Sequence, residues 1–206
     1  AVTMATKRSS EDAKLQLTFV TGNAGKLKEM QAILGDSASV TNVKLDLPEL
    51  QGASPEEISK AKVKLAFEKV GAPVVIEDTS LCFDALGGLP GPYVKWFADK
   101  VGNEGLVKLL TAYENKGAKA LCIFAYLGSE DEEPLLFSGV IEGSIVPPAG
   151  SKGFGWDPIF KEVNSGKTFA EMEPDEKNQA SHRRKALDRL KEHFTGPAAK
   201  KSKAES

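Results

Sequence analysis

The chain has 206 residues, enough for one sizeable hydrophobic core, so a single domain is the default. It is 41% apolar and 27% charged, the balance of an ordinary soluble globular protein, and its net charge of -2 leaves no bulk basic field for duplex nucleic acid. Cys82 and Cys122 form no CxxC pair, His182 and His193 are too few for a histidine-based zinc site, and no apolar run reaches membrane-spanning length.

Residues 1–14 lack the apolar core of a signal peptide and read as an unstructured lead-in. The first strand is expected over 15–21, ending in Gly22-Asn23-Ala24-Gly25-Lys26. A helix follows, with Leu27, Met30, Ile33 and Leu34 at helical spacing and Gly35 closing it. A strand, a tight turn and a helix start make either an anion site, through free backbone N–H groups, or a plain connecting turn. It is not a Walker A loop: Val20 stands where the first glycine belongs, and Leu27 where the Ser/Thr belongs.

A second strand is expected over 40–45, then a loop carrying Glu49. Ser54 as cap, Pro55 at the first position and Glu57 closing a capping box predict the next helix. Its apolar stripe reads Ile58, Ala61, Leu65 and Ala66, with Lys62 on or beside it. Such a lysine snorkels outward or reaches a buried anion; the first is the favoured reading.

Val74-Val75-Ile76 reads as a strand buried on both faces that ends in Glu77-Asp78-Thr79. Carboxylates at the end of a buried strand are costly unless a cation sits there, and ligands of open α/β sheets bind at such ends. Glu77 and Asp78 are therefore candidates for a metal or acid/base site, the alternative being a solvated turn. The Gly/Pro-rich run 87–92 predicts a rigid loop leading to a helix with Lys95, Trp96 and Phe97; a further helix is expected over 102–113. Strands over 118–127 and 135–146 form an antiparallel hairpin across an acidic turn. Phe154-Gly155-Trp156-Asp157 is either a packed aromatic corner or a base-stacking platform. A last helix is expected over 181–194, with Arg183 on its inward side, and 195–206 as an unstructured tail. One catalytic domain over 15–194 is the expectation.

Acids for a metal, cations for phosphates and aromatics for a base are the parts of a nucleoside triphosphate site. The chain resembles the inosine triphosphate pyrophosphatase family, of the eukaryotic type, over nearly its whole expected fold. The resemblance rests on Thr21-Gly22-Asn23-Ala24-Gly25-Lys26, Asp46-Leu47-Pro48-Glu49 and Val75-Ile76-Glu77-Asp78-Thr79. It continues through Ala85-Leu86-Gly87-Gly88-Leu89-Pro90-Gly91-Pro92-Tyr93, Phe154-Gly155-Trp156-Asp157-Pro158, Glu176-Lys177-Asn178 and Ser181-His182-Arg183. Lys95-Trp96-Phe97 is similar to the eukaryotic branch, and Gly25 stands where some members carry lysine.

The resemblance implies an α/β fold, an elongated mixed β-sheet with flanking helices forming two lobes around a substrate cleft. It implies hydrolysis of ITP, dITP and XTP to the monophosphate and pyrophosphate, with Mg²⁺, by a cytoplasmic homodimer with no nucleic-acid or membrane partner. Glu49 and Asp78 would hold the metal, and Asp78 would also be the base. Thr21 to Lys26, Lys62 and Lys95 would meet the phosphates, and Asp78 and Thr79 would also bind substrate. Phe154 to Asp157, Lys177, His182 and Arg183 would surround the nucleobase. The competing readings are a pyrophosphatase of pyrimidine nucleotides, a nucleotide-binding module without catalysis, and a nucleic-acid-binding protein.

Overall fold

The computed structural model describes residues 14–45 and 47–196. Most of the lead-in expected over 1–14 and of the tail expected over 195–206 lies outside the described residues, as does Asp46.

The chain opens with β1 (Leu15–Val20), α1 (Ala24–Leu34) and β2 (Ala38–Val43). β1 and β2 pair in parallel, from Leu15 opposite Ala38 to Val20 opposite Val43. The Asn23 side chain caps α1 by accepting the Lys26 amide at 3.1 Å, satisfying one of the free donors at the helix start. Gly35 ends the helix at φ 50°, a conformation suited to glycine, and a short 3-10 turn delivers the chain to β2 earlier than the sequence predicts.

In α2 (Pro55–Val70) the Ser54 hydroxyl accepts the Glu57 amide at 3.2 Å, as expected of the cap. The Ser54 hydroxyl itself donates to Glu56 at 3.0 Å, so Glu56 rather than Glu57 supplies the carboxylate partner. The buried face is Ile58, Ser59, Val63 and Ala66, and Ala61 is exposed. The stripe is rotated from its expected position, which turns Lys62 inward.

The third strand corrects the sequence reading most. β3 (Val74–Phe83) does not end at Glu77-Asp78; it runs ten residues and carries both acids in its middle. It continues because β5 (Gly117–Leu127) pairs with it antiparallel along its whole length, from Val74 opposite Leu127 to Phe83 opposite Ala118. On its other edge, β1 meets it at Val75 and the short β4 (Pro90–Gly91) at Leu81 and Cys82. Residues 77–79 lie in the gap between these two neighbours. The cleft therefore opens at a break in sheet pairing rather than beyond a strand end.

The remaining elements are α3 (Val94–Lys108), β6 (Leu135–Ile145), β7 (Phe160–Glu162), α4 (Pro174–Ala180) and α5 (His182–Thr195). Gly102, at φ 65° and ψ -175°, breaks α3 into the two segments the sequence suggests. The long hairpin β5–β6 forms as expected, antiparallel from Gly117 opposite Ser144 to Tyr126 opposite Leu135. The sheet has seven strands in the order β2-β1-β3-β5-β6-β7, with β4 paired to β3. Only the β1 pairings are parallel, so the sheet is mixed, as anticipated. Both cysteines are free, and Cys122 is buried in the core.

Strand alternation sorts β3 into two faces. Val75 packs with Met30, Phe124, Leu187 and Leu190 beneath α1 and α5. Val74 and Ile76 pack with Val63 and Ala66 of α2 on the opposite face. A third cluster gathers Leu81, Phe83, Val94, Leu106, Phe160 and Phe169 around α3 and β7. The cleft lies where these packing regions meet.

Candidate active site

A cleft of about 630 Å³ opens at the gap beside β3. It is lined by the β1–α1 turn, the Glu49 loop, α2, the middle of β3, the start of α3, the 154–157 corner and the first turn of α5. Alternation on β3 gives its two adjacent acids different partners. Glu77 faces α1 and α5; Asp78 faces α2.

Glu77 is buried at 5% exposure and held on all sides. Arg183 donates to both its oxygens, Nε to Oε2 at 2.8 Å and Nη2 to Oε1 at 2.9 Å. The Thr79 hydroxyl donates at 2.6 Å, and the Lys26 ammonium lies 3.2 Å from Oε1. Burial alone would raise its pKa; the charges of Arg183 and Lys26, with the Arg183 and Thr79 hydrogen bonds, outweigh it and hold the carboxyl well below its ordinary pKa. A carboxylate so fully engaged is an anchor. The pattern of residues alone made both acids candidates, and the family resemblance singled out Asp78; the partners of Glu77 are those of a structural group.

Asp78 differs. Its Oδ1 accepts from Lys62 at 2.6 Å, while Oδ2 is buried without a hydrogen-bond partner. Lys62 does not snorkel outward: it points into the cleft and also approaches Glu49 at 3.7 Å. The two acids outweigh the penalty of burying it and raise its pKa. Glu49 comes from a loop, and Lys95 of α3 donates to it at 2.5 Å. Partial burial opposes its ionisation, but the Lys95 hydrogen bond and the Lys62, Lys95 and Lys26 charges lower its pKa overall. Two carboxylates converging on one lysine, one of them with its other oxygen unsatisfied, suit a hard divalent cation. Among the described residues no three His, Cys, Asp or Glu side chains gather to hold a metal. Two protein ligands, completed by water and phosphate, is the arrangement Mg²⁺ favours.

The opposite wall is aromatic and cationic. The Asp157 carboxylate accepts the Phe154 amide at 2.7 Å and the Lys177 ammonium at 2.5 Å, fixing the corner. Burial raises the Asp157 pKa against the pull of Lys177. Lys177 also donates to Glu29 at 2.7 Å and lies 4.7 Å over the Phe154 ring. His182 stacks on Phe169 with centroids 5.7 Å apart and planes 11° apart, beside Trp156 at 5.4 Å. Both its ring nitrogens are buried without partners, and burial beside Arg183 holds its pKa well below the usual value.

The fold thus brings Thr21, Gly22, Asn23, Lys26, Glu49, Lys62, Asp78, Thr79 and Lys95 to one cleft with Phe154, Gly155, Trp156, Asp157, His182 and Arg183. Three expected site residues stand behind the lining. Ala24 and Gly25 form the first turn of α1, and Lys177 sits under Phe154. The sequence reading did not single out Glu29, which bonds both Arg183 and Lys177. Its signal was its place three residues after Lys26, on the same helix face.

An ordered triphosphate-sized cleft, with ion-paired carboxylates at one end and an aromatic wall at the other, defines a nucleotide-handling hydrolase of mixed α/β fold. The Ham1 family profile matches residues 17–193, and the chain belongs to that family. It is 54% identical over 183 residues to the inosine triphosphate pyrophosphatase of Podospora anserina, covering 89% of this chain and 96% of the relative. It is 57% identical over 177 residues to that of Tuber melanosporum, covering 85% and 95%. Its fold is similar to a HAM1 protein of Coxiella burnetii at TM-score 0.77 and 32% identity, with 88% and 98% of the two chains covered. It is also similar to the dITP/XTP pyrophosphatase (nucleoside-triphosphatase) of Mycobacterium abscessus at TM-score 0.65 and 31% identity, covering 85% and 98%.

Proposed function

We propose that the protein hydrolyses non-standard purine nucleoside triphosphates, ITP, dITP and XTP, to the monophosphate and pyrophosphate. Membership of the Ham1 family and the relatives named inosine triphosphate pyrophosphatase support this activity. The observation that carries the chemistry is Asp78: Lys62 holds one oxygen, and the other is buried, unpartnered and beside the cleft.

Glu49 and Asp78 are the residues that would hold Mg²⁺. When bound, the cation would supply neutralisation of phosphate charge and make a nearby water easier to deprotonate. Asp78 takes the proton from the water that attacks the α-phosphorus. Lys26, Lys62 and Lys95 neutralise charge on the departing pyrophosphate, and the free amides at the start of α1 cradle a phosphate. The purine stacks at the 154–156 corner. Arg183 spends donors on Glu77 and Glu29, yet a guanidinium carries more N–H groups than these occupy. A remaining donor suits the C6 oxygen of hypoxanthine or xanthine and meets only another donor in adenine. A homodimer in the cytoplasm belongs to the same proposal, on the family resemblance alone.

The test is pyrophosphate release from ITP, XTP, GTP, ATP and dUTP, with and without Mg²⁺. Metal-dependent turnover of ITP and XTP well above ATP and dUTP is expected. Asp78→Asn should lower the ITP rate by about 10²–10⁴-fold while ITP still binds. Near-normal turnover in that variant removes Asp78 from the role of base.

A further inference from the structure

One carboxylate of the cleft has no part in the scheme above. Asp99 lines the cleft from α3 and is exposed there. Its helix carries Lys95 four residues before it, on the same face of the first segment of α3, and Asn103 lies just past the break at Gly102, at the start of the second segment. The flanking pair are fixed at opposite ends of the site. Lys95 donates to Glu49 at 2.5 Å, at the carboxylate end. The Asn103 amide donates to the Gly155 carbonyl at 3.0 Å, at the aromatic corner. Ala98, the neighbour of Asp99, packs against the same cluster as Trp156. Asp99 therefore stands between the two ends, about 6 Å along the helix from Lys95.

A nucleotide lying in this cleft has its phosphates by Lys95 and its base by the 154–156 corner. What lies between is the sugar. A carboxylate is an acceptor only, and an Asp or Glu beside a ribose takes its hydroxyl protons in hydrogen bonds. A carboxylate facing a triphosphate cleft otherwise works against substrate charge. We propose that Asp99 is a specificity residue that accepts a hydrogen bond from the sugar 3′-hydroxyl. The 3′-hydroxyl is chosen because ITP and dITP share it and differ only at the 2′ position. This inference rests on the substrate reading given above and adds the sugar to it.

The experiment compares kcat/KM for ITP, dITP and 2′,3′-dideoxyinosine triphosphate in the wild type, Asp99→Ala and Asp99→Asn. In the wild type dITP should exceed the dideoxy analogue by about tenfold or more, the size of one hydrogen bond to a charged group. In Asp99→Ala that ratio should collapse to within about twofold, through loss on the hydroxylated substrates. Asp99→Asn, whose amide oxygen still accepts, should keep an intermediate ratio. A wild type that discriminates but an alanine variant that discriminates equally overturns the inference. So does an equal rise for all three substrates in Asp99→Ala, which would leave only charge repulsion. A wild type that releases no pyrophosphate from ITP overturns instead the substrate reading, and is told apart from the other outcomes by that alone.

Discussion

At the residue scale, His182 is an imidazole held where protonation is disfavoured. Phe169 and Trp156 pack on its ring, and its nitrogens have no partner. Burial disfavours its charged form most; the charges of Arg183, Lys177 and Lys26 act in the same direction, and Glu77 opposes them. Its folded pKa lies well below 6.5, the value expected when unfolded. Below pH 6.5 the unfolded chain therefore takes up a proton that the folded chain refuses. Folding stability should fall as pH drops below that value, with a slope up to about 1.4 kcal/mol per pH unit from this group. Denaturant unfolding of wild type and His182→Phe across pH 5 to 7.5, roughly the titration range of an unperturbed histidine, measures it. The variant should lose that part of the slope; identical slopes would show that His182 titrates normally.

At the scale of elements, the first turn of α1 and the 154–157 corner are fitted to each other. A Cβ on Gly25 would stand 2.7 and 2.8 Å from two Phe154 ring atoms, so no side chain fits there unless the ring moves. Gly25→Ala gains about 1 kcal/mol of helix propensity, which the displaced ring offsets. Stability should change little, while KM for ITP rises several-fold because the stacking face is displaced. An unchanged KM would mean that Phe154 does not present that face to substrate. The sequence made part of this visible. The cap at Ser54, the β5–β6 hairpin and the break at Gly102 are local signals, and each was legible. What was not legible depends on partners distant in sequence. β3 passes through its acids because β5 pairs with it there, a contact no local pattern announces. The inward turn of Lys62 is set by Asp78, and α4 and β7 are too short to show a period. Glu29 and Asp99 each look like ordinary surface acids until the helices are placed.

At the scale of the whole molecule, one buried charge network ties the cleft together. Arg183 of α5 bonds Glu77 of β3 and Glu29 of α1; Lys177 of α4 bonds Glu29 and the Asp157 corner. Arg183 and Glu77 are each almost fully buried, so neither can be re-solvated if its partner is removed. Breaking such a pair from one side costs about 3–5 kcal/mol, whereas replacing both sides together is often close to neutral. Arg183→Met should therefore lower stability by that amount, a fall in Tm of roughly 6–20 °C for a chain of this size. Glu77→Gln combined with Arg183→Met should recover at least half of the loss, as a double-mutant cycle in denaturant unfolding would show. Additive losses would mean that the pair is not coupled and that Arg183 acts through packing alone. The double variant also separates the two roles assigned to Arg183. Its stability returns because no charge is left buried alone, but no guanidinium remains to donate to a C6 oxygen. Its preference for ITP over ATP should stay narrowed even where its fold is restored. A preference regained with stability would place base selection elsewhere on the aromatic wall.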